Sequence, residues 1–135
     1  MHTASALVAI VDDEESVRQA LGRLVRSAGF QVRTFGSGSE FLGSLADCSP
    51  CCVVLDLRMP HMTGVDVQRA LLASRPGVPV VIITGDDTPE IRRQTLAYGA
   101  TAYLRKPVDE TMLLDAIQRA IAKPEAPAAS RPATP

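Results

Sequence analysis

Residues 51–64 read CCVVLDLRMPHMTG. Four apolar residues, Cys52 to Leu55, run into a carboxylate, Asp56, and the chain then breaks into Met-Pro-x-Met-x-Gly. The run is strand-length and rich in β-branched side chains, as befits a strand buried on both faces. A carboxylate at the end of such a strand is costly to bury unless something pairs with it. The fold therefore has to bring partners to Asp56, and the rest of the chain shows where they come from.

Working outward, the same kind of run recurs as ALVAIV (6–11), VPVVIIT (78–84) and TAYL (101–104). FQVRTF (30–35) alternates instead, the pattern of a half-exposed edge strand. Helical patterns lie between. Val17, Ala20, Leu21, Leu24, Val25 and Ala28 follow the i, i+3, i+4, i+7 rule, and Gly29 stops that helix. Ser37-x-x-Glu40 reads as a capping box opening a second helix that holds Phe41, Leu42 and Leu45. Thr63-x-x-Asp66 opens a third, Thr88-Pro89 is the N-cap and first residue of a fourth ending near Gly99, and Asp109 caps a fifth. The order is (βα)5: an α/β fold with a doubly wound parallel five-stranded sheet and helices on both faces.

The chain has 135 residues, 46% apolar and 21% charged, with net charge −1. That suits one soluble domain over residues 1–122. The remainder, 123–135, is Pro/Ala-rich without apolar periodicity and reads as a flexible tail or linker. The charge balance gives no general reason to bind nucleic acid. No run reaches the ~18 apolar residues of a membrane span, and the N-terminus lacks a basic leader region, so a cytoplasmic protein without membrane contact is expected. Cys48, Cys51 and Cys52 are too few and too clustered for a disulfide framework. Cys48-x-x-Cys51 has zinc-like spacing but no second pair, so reduced thiols are expected.

In open parallel sheets, ligands bind beyond the carboxyl ends of the strands. There the buried strands present Asp12 and Asp13, Asp56, Thr84, and Lys106 followed by Pro107. The alternating strand presents Phe35-Gly36. Three carboxylates together need a cation, and oxygen-only donors favour a hard ion, Mg²⁺ or Mn²⁺. Lys106 is a second, fixed positive charge, and Thr84 offers a hydroxyl. A cation, an ammonium and a hydroxyl around one carboxylate suit phosphoryl transfer to it, with Asp56 as nucleophile and an acyl phosphate as product.

VDDEE, LDLRMPHMTG, ITG and LRKP resemble the receiver domain of two-component response regulators, CheY-like in fold. FGSGSEFL, VVIITGDD and RKPVDETMLLDAI resemble its FixJ-type subfamily. The resemblance covers about residues 6–122. It implies strand order 2-1-3-4-5 and a phosphoryl group taken by Asp56 from a histidine kinase. It implies Mg²⁺ held by Asp13, Asp56 and the Arg58 backbone carbonyl, with Asp12 acting largely through water. It also implies a cis peptide before Pro107 and a switch in which Tyr103 turns inward as Thr84 moves to the phosphoryl group. The expected output face is the fourth helix, fifth strand and fifth helix, including Ile91, Arg92, Thr95, Tyr103 and Arg105, and mediating a phosphorylation-promoted homodimer.

Other readings are weaker. Gly36-Ser37-Gly38 is no dinucleotide fingerprint, since the third glycine position is Phe41. Met59 and Met62 read as packing residues. Arg58 and Asp86, two places beyond Asp56 and Thr84, either gate the pocket mouth or are solvated charges. A haloacid-dehalogenase-type phosphatase also uses an aspartate nucleophile with Mg²⁺, but wants a second Asp where Arg58 stands. A flavin module would need ring-stacking aromatics, and the chain has two Tyr, three Phe and no Trp. The expected protein is a phosphorylation-controlled switch, not an enzyme with a separate substrate.

Overall fold

The computed structural model describes residues 6–122. The tail expected over 123–135 lies outside the described residues. Five strands alternate with five helices: β1 (Leu7–Val11), α1 (Glu15–Ser27), β2 (Gln31–Phe35), α2 (Gly38–Ser44), β3 (Cys52–Asp56), α3 (Gly64–Ser74), β4 (Val80–Thr84), α4 (Pro89–Ala97), β5 (Ala102–Arg105) and α5 (Glu110–Ala122). The strands form one parallel sheet of order β2-β1-β3-β4-β5.

Strand alternation divides the core into two layers. Ala9, Val11, Val53, Leu55 and Ile82 face Phe41, Leu45, Val67 and Leu71, with Ile91 of α4 packed at the margin. Val8, Ile10, Val54, Val81 and Ile83 face Leu21 and Val25 of α1 and Leu113 and Ile117 of α5. Thus α1 and α5 cover one face of the sheet, and α2, α3 and α4 the other.

Local signals explain the helix boundaries. The Thr63 hydroxyl accepts from Asp66 N–H while the Asp66 carboxylate accepts from Thr63 N–H, a complete capping box. Thr88 caps α4 with Pro89 at its first position, and the Asp109 side chain accepts from Met112 N–H. α1 and α4 run out at Gly29 (φ 98°) and Gly99 (φ 94°), both in the left-handed region glycine tolerates. The Ser37 box differs from expectation. Ser37 accepts from Glu40 N–H, but the Glu40 carboxylate takes the Gly36 N–H instead of that of Ser37. Leu45 is the C-cap of this short helix and not part of its body.

The run TAYL by itself suits a buried strand, but β5 takes the edge place that the order 2-1-3-4-5 implies. It is an edge strand, with Ala102, Tyr103 and Leu104 half-buried and Arg105 exposed. With β2 on the other edge, only β1, β3 and β4 are buried on both faces.

Candidate functional site

Register aligns the site. Val11 pairs with Leu55, so Asp12 and Asp56 stand at the next position of adjacent strands. Asp56 pairs with Ile83 and Thr84 with Arg105, which places Thr84 one step beyond Asp56 along the rim and Lys106 one step beyond Thr84. Asp12 and Thr84 are fully buried and Asp56 is 1% exposed. Asp13 is exposed at the mouth, with Glu14, Arg58 and Gly85, around a cavity of about 300 Å³ that reaches Asp56 and Lys106.

One carboxylate oxygen from each of Asp12, Asp13 and Asp56 lies within 4.8 Å of the others. The Lys106 ammonium lies 2.9 Å from Asp12 Oδ2, 3.3 Å from Asp56 Oδ1 and 3.6 Å from Glu14 Oε1. It is within ion-pairing range of all three, so a single positive charge is divided among three carboxylates. Three carboxylates with only one ammonium between them, and no histidine or cysteine among the described residues at the cluster, fit a hard divalent cation such as Mg²⁺.

The electrostatics point the same way. Burial, and then repulsion from Asp12, push the Asp56 carboxyl up to about 6, against the pull of Lys106 and a hydrogen bond from the Arg58 backbone. Burial works against the Lys106 ammonium, but Asp12 and Asp56 more than offset it and raise its pKa. The site is short of positive charge even with Lys106 in place.

The Met-Pro-x-Met-x-Gly segment folds the chain back onto Asp56. Met62 N–H bonds to the Pro60 carbonyl across His61, whose φ is 69°, a tight γ-turn. Gly64 N–H then returns to the Leu57 carbonyl. A Cβ at Gly64 would stand 2.7 Å from Leu57 Cα and closer still to the Asp56 carbonyl, so only glycine fits. Met59 is buried and Met62 half-buried, both in the core layer against α2 and α3.

The remaining predicted residues fall in three groups. The Thr84 hydroxyl accepts from Asp86 N–H at 3.0 Å, and the Lys106–Pro107 peptide is cis. Tyr103 is half-buried on β5, where its hydroxyl donates to Asp87 Oδ1 at 2.9 Å and the Arg92 guanidinium lies 5.0 Å from its ring centre. Burial and that bond push the phenol up to about 12. Thr95, expected on an exposed face, is fully buried. Its hydroxyl donates to the Arg92 carbonyl and its own carbonyl accepts from Gln68 Nε2 of α3. Positions 91 and 95 share the inward side of α4, and Arg92 and Leu96 are among its exposed residues.

Sequence reasoning passed over Glu14, which approaches Lys106, and Asp87, which pairs with Arg92 at 3.6 Å and Arg105 at 3.8 Å. The one signal available was position: each lies two or three residues past a rim residue. The cysteines are free: Cys48 and Cys52 are buried and Cys51 is exposed. Burial, and then Cys51, push the Cys52 thiol up to about 12, so it is inert.

Comparison with known proteins places the chain by sequence and by fold. The family described as response regulator receiver domain matches residues 8–118. Response regulator protein TmoT of Ectopseudomonas mendocina is 36% identical over 121 residues, 90% of this chain and 55% of that protein. Transcriptional regulatory protein FixJ of Rhizobium meliloti is 36% identical over 113 residues, 84% of this chain and 55% of that protein. The chain thus spans about half the length of the curated relatives it matches. The crystal structure of FixJ-N superposes with a TM-score of 0.79 at 35% identity, covering 87% of this chain and 94% of that one. A receiver domain protein from Clostridium thermocellum gives 0.82 at 33% identity, covering 87% and 94%. Matched along most of its length in both sequence and fold, the chain belongs to the response regulator receiver domain family.

Proposed function

We propose that Asp56 is the phosphoacceptor of a two-component switch. One of its carboxylate oxygens attacks the phosphorus of a phosphohistidine on a histidine kinase. A P–O bond forms, the P–N bond breaks, and the departing imidazole nitrogen takes up a proton. Asp13, Asp56 and the Arg58 backbone carbonyl would hold Mg²⁺, with Asp12 acting largely through water, and the ion would supply charge neutralisation for the phosphoryl oxygens. Lys106 supplies a second fixed charge from β5, and the Thr84 hydroxyl donates to a phosphoryl oxygen. The receiver match sets aside the phosphatase reading, as does Arg58 at the place of the acid that chemistry requires. The observation that carries the proposal is the meeting of three carboxylates and one ammonium at the sheet rim, Asp56 at its buried centre.

The domain over residues 1–122 acts as a switch and has no separate substrate. Its signal leaves through α4, β5 and α5, whose face mediates a homodimer when Asp56 is modified. The described residues carry no function in nucleic-acid binding, and the protein works in the cytoplasm. Among them no helix is long and apolar enough to cross a membrane. Intact-mass measurement with acetyl phosphate and Mg²⁺ tests the assignment. One phosphoryl adduct is expected on the wild type and none on Asp56→Ala. An adduct on Asp56→Ala at the wild-type rate overturns it.

A further inference from the structure

Asp12 is held at four atoms by four parts of the chain. Its N–H donates to the Phe35 carbonyl of β2 at 3.1 Å. Its Oδ1 accepts from Glu14 N–H at 2.9 Å, its Oδ2 faces Lys106, and its own carbonyl accepts from Arg18 Nη1 at 2.9 Å. The last bond stands out. The β1–β2 ladder ends with the bond from Asp12 to Phe35, because Ser37, whose N–H is next in register, turns away as the N-cap of α2. The Asp12 carbonyl is left without a strand partner, and Arg18, in the first turns of α1, reaches back to satisfy it. The guanidinium rests over Gly36, where a Cβ would stand 3.1 Å from Nη1 and 3.5 Å from Cζ. The glycine at the end of β2 leaves the space that the arginine occupies.

We infer that Arg18 is a positioning residue for the acidic cluster, holding the Asp12–Asp13 turn in the geometry a divalent cation needs, with Gly36 as the seat of its guanidinium. The inference rests on the reading of Asp12, Asp13 and Asp56 as the cation-binding cluster. Oδ1 of Asp12 is tied within its own turn, so the carboxylate follows the backbone. Arg18 fixes that backbone to α1 and to the turn after β2. Groups that orient metal ligands in this way typically govern affinity by about 10–100-fold.

Charge alone predicts the opposite sign. Arg18 is a cation near the cluster, so its removal would strengthen binding of a second cation if electrostatics decided the matter. A purely structural role would lower thermal stability and leave affinity unchanged. The discriminating experiment is calorimetric titration of the full chain with Mg²⁺, alongside thermal unfolding in its absence, for wild type, Arg18→Ala, Arg18→Lys, Gly36→Ala and the double variant Arg18→Ala/Gly36→Ala. Arg18→Ala is expected to bind Mg²⁺ about 10-fold more weakly, with Arg18→Lys recovering part of the loss. Gly36→Ala, by pushing the guanidinium aside, should give a smaller loss in the same direction. That loss should vanish in the Arg18→Ala background, because the group it displaces is gone. Unchanged or tighter binding by Arg18→Ala overturns the inference, as do independent, multiplying effects of the two substitutions. Asp13→Ala serves as the control. If it loses Mg²⁺ while Arg18→Ala does not, positioning by Arg18 is wrong. If Asp13→Ala binds as the wild type does, or the wild type binds none, the reading of the cluster itself is wrong.

Discussion

Asp56 is the residue on which the structure spends most. Its carboxyl is pushed up to about 6 from an ordinary value of 3.8, so between those two pH values the folded chain binds a proton there that the unfolded chain has released. Stability therefore falls as pH rises through that window, and above pH 6 the full penalty applies. A shift of that size corresponds to roughly 3 kcal/mol at most. In Mg²⁺-free buffer at pH 7.5, Asp56→Asn should accordingly be more stable than the wild type by about 1–3 kcal/mol. The advantage should fade below pH 4, as followed by urea unfolding. Added Mg²⁺ should raise the melting temperature of the wild type well above any effect on Asp56→Asn, since binding to the native state stabilises it by mass action. A wild type more stable than Asp56→Asn at pH 7.5 without Mg²⁺ would contradict this account of the pocket. Lys106 does not remove the penalty: its one charge is shared among Asp12, Asp56 and Glu14.

Among the elements, α3 depends most on what precedes it, because the return of the chain at Gly64 sets both its start and the shape of the segment after Asp56. Gly64→Ala would drive a methyl group into the Leu57 backbone, which cannot swing aside as a side-chain tip can. It should cost about 1–3 kcal/mol, as overpacking does, and it should slow phosphorylation because Asp56 lies beneath the same turn. Gly77→Ala has nothing within 4 Å of the added carbon and should change stability little. Equal effects of the two on denaturant midpoints would refute the steric argument. Elements of this kind were legible in the sequence because their causes are local. Thr63, Thr88 and Asp109 cap helices through bonds three residues long, and the apolar runs differ from the helical periods within a few residues. Other features depend on where a chain crosses another and leave little local trace. TAYL has the composition of a buried strand, but its place at the sheet edge is a property of topology. Thr95 looks like a surface residue on a polar helix, yet Gln68 of α3, 27 positions away, covers its carbonyl. Arg18 reads as one more basic residue on α1 until the parting of β1 and β2 leaves a carbonyl for it to bind. The acidic cluster was legible because strand ends in a parallel sheet converge by rule. The paired arginines on Asp87 follow no such rule.

For the whole molecule the question is how modification at one rim reaches an outer face. Thr84 is fully buried and its hydroxyl anchors Asp86 N–H, so a shift of that hydroxyl towards a phosphoryl group carries the β4–α4 turn with it. The next residue, Asp87, holds Tyr103, Arg92 and Arg105 together. Pairing of Ile82 with Tyr103 and Thr84 with Arg105 puts all four side chains on one face of adjoining strands. The phenol stays protonated through neutral pH, so its bond to Asp87 is broken by displacement and not by titration. The modified state should therefore release Tyr103 and free Arg92 and Arg105, whose side chains are 53% and 70% exposed, for contacts with a second copy. Leu96, 47% exposed on the same helix, supplies the apolar part that buried Thr95 does not. The unmodified chain must sample this arrangement as a minor state, with the phosphoryl group shifting the population. Beryllofluoride with Mg²⁺ is expected to convert a monomer to a dimer in sedimentation, and to shift amide signals of residues 91–105 more than those of α2. Lys106→Ala should still take a phosphoryl group in intact-mass measurement yet remain monomeric, because it lacks the contact that ties β5 to the modified site. A monomer under beryllofluoride, or amide shifts spread evenly over the sheet, would place the output elsewhere while leaving Asp56 as the acceptor.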